Sequence, residues 1–121
     1  MTASPFDCWL AERGLLTFPL RFEKTQATAG ALAKMLAQHN GVARVLYPGQ
    51  ASHPDFTRAQ AILGQNGCNM VSFELANQTR EAAERFTKAA DQIAFAPTLG
   101  DVGTTLSHPV SSSHRILSGP E

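Results

Sequence analysis

Cysteine is scarce in this chain: Cys8 and Cys68 are the only two among 121 residues. Two are too few for a disulfide framework, and neither stands in a Cys-x-x-Cys or Cys/His spacing. Both are therefore expected as buried or surface thiols in a reducing compartment, and no metal site is expected. Net charge is lacking as well, since ten Lys and Arg balance ten Asp and Glu. Without a field of one sign nothing draws the chain to nucleic acid or to an anionic membrane. No apolar run approaches the about 18 residues that a membrane span requires, and Asp7 and Glu12 interrupt what would have to be a signal peptide. A cytoplasmic location is expected. The self-sufficient catalytic signatures are missing too: there is no Gly-x-Ser-x-Gly elbow, no phosphate loop ending in Gly-Lys-Ser/Thr, no Gly-x-Gly-x-x-Gly and no His-Glu-x-x-His. Nothing in the sequence is a complete active site.

What the chain does have is an alternation of helical and strand patterns within the length of one domain. Ser4 can cap a helix with Pro5 in its first turn, and Phe6, Trp9, Leu10 and Arg13 follow at helical spacing until Gly14 and Pro19. A longer helix is predicted over about 19–39, with Ala27, Ala31 and Met35, beside Thr28, Leu32 and Leu36, as its apolar stripe. Arg21, Glu23 and Lys24 form its solvated face. Val42 to Tyr47 alternates and meets Pro48-Gly49, a strand ended by a turn. A short helix restarts near Ser52-His53-Pro54 and runs through Leu63 to Gly64, with His53 as a capping or surface group. Asn69 to Ala76 is the clearest strand, with Val71, Phe73 and Leu75 on one side. Thr79 to Ala90 reads as a helix with Ala82, Ala83, Phe86 and Ala90 inside. Ile93 to Ala96 is a short strand delivering a loop.

These patterns predict an α/β (α+β) sandwich: a small, mostly antiparallel sheet covered by helices on one face, preceded by a long helix. The expected organisation is a helical linker over 1–39, a small α/β domain over 40–114 and a frayed tail over 115–121.

The stretch Thr98–His114, TLGDVGTTLSHPVSSSH, gathers glycines, hydroxyls and two of the four histidines into a segment too irregular for a plain helix. Gly100 can take a positive φ without a Cβ clash, which would leave neighbouring backbone N–H groups facing a ligand. Thr104 to His108 is extended by propensity. On local chemistry alone the stretch also reads as an ordinary surface loop closing a sheet.

The same residues resemble a known family. Thr98, Leu99, Gly100, Asp101, Thr105, Leu106, His108, Pro109, Ser111, Ser113 and His114 are similar, at matching spacing, to the C-terminal signature of the Cys/Met-metabolism enzymes that depend on pyridoxal phosphate (PLP). These are the cystathionine lyases and synthases, methionine γ-lyase and the homoserine-ester sulfhydrylases. Ser4-Pro5-Phe6-Asp7, Arg13-Gly14-Leu15, Leu20-Arg21, Tyr47-Pro48-Gly49, Ser52-His53-Pro54 and Met70-Val71-Ser72-Phe73 fall in the family's order as well. The resemblance covers essentially the whole chain.

It implies that this is the small C-terminal, substrate-closing part of such an enzyme. The cofactor lysine and phosphate loop would then belong to a large PLP domain ahead of it, a missing partner, and this chain would bind no PLP covalently. Lys24, Lys34 and Lys88 are the only lysines, and none has the family's Ser-x-Thr-Lys setting. The resemblance further implies that Thr98, Leu99 and Gly100 take the substrate carboxylate of a sulfur amino acid. In the family an arginine from a later strand shares that task, and Arg115 is not assigned to it. Pro97 stands where cystathionine γ-lyase-like members have a glutamate, which points to a sulfhydrylase, a β-lyase or a methionine-lyase type. Three readings follow: a C-terminal part of a PLP enzyme of sulfur-amino-acid metabolism, inactive alone; a free-standing ligand-binding or regulatory module; and a structural interaction domain. Unpaired sheet edges lead us to expect a homo-oligomer.

Overall fold

The structure is a computed structural model that describes residues 2–64 and 67–111. Its element order is α1 (Pro5–Leu16), α2 (Phe18–Ala37), β1 (Val42–Leu46), α3 (Phe56–Leu63), β2 (Ser72–Leu75), α4 (Arg80–Ala89), β3 (Ala94–Phe95), β4 (Thr105–Leu106) and a 3-10 turn over Pro109–Ser111. The mixture of helices with small sheets is the expected α/β class. The chain divides into two compact units, Met1–Ala76 and Asn77–Glu121.

In the first unit α1 begins on a capping box. The Ser4 hydroxyl oxygen accepts from the Asp7 N–H at 3.2 Å, and the Asp7 carboxylate accepts from the Ser4 N–H at 3.3 Å. The helix runs through Gly14 to Leu16, further than the glycine suggested. The exit is held by Arg21, whose Nη2 donates to the Gly14 carbonyl at 2.7 Å and whose Nε donates to the Thr17 hydroxyl at 3.2 Å. Unsatisfied carbonyls at a helix end are thereby answered by a cation from the next helix.

α2 packs on β1, but not with the stripe expected for it. Ala27, Ala31, Leu32 and Met35 are exposed, whereas Ala29 and Ala33 are buried, flanked by half-buried Phe22, Gln26 and Leu36. The buried face is turned by about a third of a helical turn from the predicted one, with Leu36 at their shared edge. The reason is the partner's size. Tyr47, 3% exposed, lies in the core cluster with Ala29 and Ala33, and Val45, Cys68 and Val71 close around it. A ring of that volume fits against alanine and Gly30, not against leucine or methionine.

β1 and β2 pair antiparallel, with Val42 opposite Leu75, Arg44 opposite Glu74, Val45 opposite Phe73 and Leu46 opposite Ser72. An irregularity falls between Val42 and Arg44, and the Ala76 N–H donates to the Gly41 carbonyl just beyond the strand end. The segments joining these strands close on Tyr47. Its hydroxyl donates to the Cys68 carbonyl at 3.1 Å, and Gln26 Nε2 donates to the Gly67 carbonyl at 2.9 Å. Gly67 has φ +68°, and a Cβ there would stand 2.8 Å from the Tyr47 hydroxyl; at Gly49 it would stand 2.5 Å from the ring. Only glycine lets the backbone approach the tyrosine this closely.

In the second unit α4 starts at Thr79, whose side chain accepts from the Ala82 N–H at 3.2 Å. It turns Ala82, Ala83 and Phe86 inward as predicted. β3 and β4 form a separate two-stranded sheet, and it is parallel, with Ala94 opposite Thr105 and Phe95 opposite Leu106. The strands thus form two small sheets, one antiparallel and one parallel.

Candidate functional site

The candidate site is the return between β3 and β4, and its shape follows from three residues. Ala96 extends the pairing through its N–H, which donates to the Leu106 carbonyl at 3.0 Å. Pro97 then ends the strand, since it has no N–H to give. Gly100 turns the chain with φ +88°, the positive value expected for it, in open space where a Cβ would meet nothing within 4 Å. Asp101 stabilises the far side of the turn by accepting from the Gly103 N–H at 3.2 Å, an Asx turn. Thr105, half-buried, donates from its hydroxyl to the Thr98 carbonyl at 3.4 Å.

Thr98, Leu99 and Gly100 therefore come together on one exposed turn, with Pro97 immediately before it. Leu99 is 80% exposed, so the turn is not folded onto a core of its own unit. Among the described residues no acceptor engages the N–H groups of Leu99 and Gly100, and none engages the Thr98 hydroxyl.

Further along, His108 and Ser111 form a local pair. Their Nδ1 and Oγ are 2.6 Å apart, and the Ser111 N–H donates to the His108 carbonyl at 3.1 Å across Pro109. This holds the 3-10 turn rather than presenting a ligand group. Ser113 and His114 lie outside the described residues. His53 serves the local turn: its Nδ1 accepts from the Asp55 N–H at 3.1 Å just ahead of α3, which has no side-chain cap. Cys8 and Cys68 are free thiols, and among the described residues no cluster of histidine, cysteine or carboxylate could hold a metal. No described helix is long and apolar enough to cross a membrane.

Sequence reasoning missed the residues around Tyr47. Tyr47, Gln26, Gly49 and Gly67 hold the first unit together, and the signal available was a lone tyrosine flanked by Pro48-Gly49 with a second glycine before Cys68. Burial is the main cause that raises the Tyr47 phenol above its ordinary pKa, with the nearby Cys68 adding to it.

The chain belongs to the Cys/Met metabolism PLP-dependent enzymes, the family it matches over residues 1–120. Among its relatives, it is 39% identical to O-succinylhomoserine sulfhydrylase of Pseudomonas aeruginosa over 117 residues, 97% of this chain and 28% of that enzyme. It is 38% identical to cystathionine beta-lyase MetC of Bacillus subtilis over 111 residues, 92% of this chain and 28% of that enzyme. The fold agrees. The crystal structure of cystathionine gamma synthase from Xanthomonas oryzae pv. oryzae in complex with cystathionine superposes with a TM-score of 0.82 at 36% identity, covering 98% of this chain and 30% of that one. The chain thus spans less than a third of the length of these relatives.

No described residue fits covalent attachment of PLP. Lys24 and Lys34 stand exposed on α2 and Lys88 stands exposed on α4, and a lysine that holds an aldehyde cofactor is one made reactive by burial or by a cationic neighbour.

Proposed function

We propose that this chain is the C-terminal, substrate-closing part of a PLP-dependent lyase or sulfhydrylase acting on sulfur amino acids, and that it is not catalytic by itself. In this reading residues 40–114 form the small domain and 1–39 lead into it. PLP is held by a partner domain of the parent enzyme, outside this chain. The observation that carries the reading is the turn at Gly100, with φ +88°, in a chain that matches the family over nearly its whole length. The turn leaves the Thr98 hydroxyl and the Leu99 and Gly100 amides available to a substrate carboxylate. Such bonds contribute about 1.5 to 3 kcal/mol when one partner is charged. One such bond suffices to orient a carboxylate and by itself falls short of the about 4 kcal/mol that millimolar binding already needs.

Pro97 contributes by what it withholds. It offers neither charge nor donor beside the turn, where cystathionine γ-lyase-like members have a glutamate, and this supports a sulfhydrylase, a β-lyase or a methionine-lyase type. Homo-oligomerisation is part of the same proposal, since a two-stranded sheet is small and its edges are surfaces at which copies can pair.

The test is a fusion in which this chain replaces the matched stretch of the Pseudomonas aeruginosa sulfhydrylase. Thr98→Val, which keeps the shape and removes the hydroxyl, is expected to raise KM about tenfold or more, the equivalent of at least 1.4 kcal/mol. An unchanged KM would remove Thr98 from the carboxylate site. Faster γ-elimination of cystathionine than turnover of homoserine esters, cystathionine β-cleavage or methionine would overturn the reading of Pro97.

A further inference from the structure

The bonding between β3 and β4 stops at a defined place. The Ala96 N–H donates to the Leu106 carbonyl at 3.0 Å, and Pro97 has no N–H with which to continue. Thr98 is the first residue past that stop, and a side chain takes over there: the Thr105 hydroxyl donates to the Thr98 carbonyl at 3.4 Å, across 7 positions. Thr105 comes from β4, where its backbone is registered opposite Ala94, it is half-buried, and its β-branch restricts rotation about χ1. The far end of the turn is shaped separately, by Gly100 with φ +88° and by Asp101 on the Gly103 N–H. Among the described residues, Thr105 is thus the one side chain of β4 that bonds the turn of Thr98, Leu99 and Gly100.

That bond governs more than one oxygen. The peptide between Thr98 and Leu99 is a planar trans unit whose C=O and N–H point in opposite directions. A carbonyl held toward Thr105 therefore sends the Leu99 N–H away from it, and the same plane sets ψ of Thr98 and φ of Leu99. We propose that Thr105 is a positioning residue: through the Thr98 carbonyl it aims the Leu99 N–H at the carboxylate of a sulfur amino acid, an inference that rests on the reading of the turn given above. Thr105 itself touches no substrate atom. Its worth lies in direction more than in energy, since 3.4 Å is long beside the about 2.7 to 2.8 Å of most O–H···O bonds. Direction is what the Leu99 amide needs, because an N–H···O bond weakens steeply once its angle falls below about 120°. A peptide plane left free to rotate loses that alignment without any change in the fold around it.

Two substitutions separate direction from packing: Thr105→Val keeps the branched shape and drops the donor, whereas Thr105→Ser keeps the donor and drops the methyl. In the fusion with the sulfhydrylase, Thr105→Val is expected to raise KM about threefold to fivefold with kcat within about twofold of the parent, and Thr105→Ser to keep both near the parent values. A merely structural role would instead lower the active fraction, and so kcat, while leaving KM where it was. In the full chain the bond can be read without substrate. The carbon-13 resonance of the Thr98 carbonyl is expected to move upfield in Thr105→Val and to stay in Thr105→Ser, while the Ala96 amide, held by Leu106, exchanges at an unchanged rate. A Thr98 resonance indifferent to both substitutions would overturn the proposal, as would a Thr105→Ser fusion no better than Thr105→Val. An unchanged KM in Thr105→Val beside a raised KM in Thr98→Val would overturn the role of Thr105 and leave the functional reading standing. With the bond present in the full chain and KM indifferent to Thr105→Val and Thr98→Val alike, the functional reading itself falls, and the role of Thr105 with it.

Discussion

The two units of this chain are held by different means. In the first, contacts remote in sequence converge on one side chain: Tyr47 meets alanines of α2, a carbonyl beyond α3 and two glycines that would collide with it if they carried a Cβ. In the second, Ala82 is the only buried hydrophobic side chain among the described residues, and the turn that carries the candidate chemistry is shaped by its own backbone, by Gly100 and by the Asp101 side chain. Packing and candidate function are thus separated. A residue in the first unit is constrained by volume, a residue in the candidate turn by φ and by what it can offer a ligand.

The largest expected effect is at Tyr47. Tyr47→Ala removes the ring that the core is built around and leaves the Cys68 carbonyl without its donor. A loss of about 3 to 5 kcal/mol is expected in a urea titration followed by circular dichroism, enough to unfold a marginal unit. A loss under about 1 kcal/mol would break the contrast between the units. The next test separates the two faces of α2. Ala33→Leu forces a larger side chain into a site with no exposure and is expected to cost about 1 to 3 kcal/mol. Ala31→Leu, on the exposed face, is expected to change stability by less than about 0.5 kcal/mol. Equal effects would mean that the stripe predicted from sequence is the one that packs.

At Gly100 an added Cβ meets no atom, so only the backbone is strained. Gly100→Ala is expected to cost about 1 to 2 kcal/mol, confined to the turn. Amide exchange should rise over 98–103 and remain unchanged around Tyr47. The smallest effect is with pH. The Tyr47 phenol is held above its ordinary value in the folded chain, so its contribution is fully present below about pH 10 and is lost as pH rises through the folded value. Alkaline unfolding of the first unit should therefore be delayed in Tyr47→Phe relative to the parent chain, once both are normalised to neutral pH. An identical alkaline profile would show that the phenol does not titrate with unfolding.

Much of this arrangement is legible in the residues. Ser4 with Asp7, and Thr79 ahead of Arg80, announce their helix starts because a hydroxyl that accepts from an N–H two or three residues on is a local device. The inner face of α4 can be read because charged residues occupy its other side. Gly100 can be read because its turn closes within a few residues. The stripe of α2 cannot be read in the same way. Alanines lie on both of its faces, and the choice between them is made by a tyrosine ring far along the chain, whose volume appears in no local pattern.

The reach of the bonds in each unit sets the order in which they can form. Gln26 and Gly67 are 41 positions apart, and Tyr47 and Cys68 are 21 apart, so both bonds wait on the closure of long loops. The bonds that shape the candidate turn span 2 positions between Asp101 and Gly103 and 7 between Thr98 and Thr105. Loops of about ten residues close in tens of nanoseconds, whereas contacts distant along the chain slow folding by orders of magnitude. The turn proposed to receive the substrate can therefore take shape while the tyrosine still searches for its glycines.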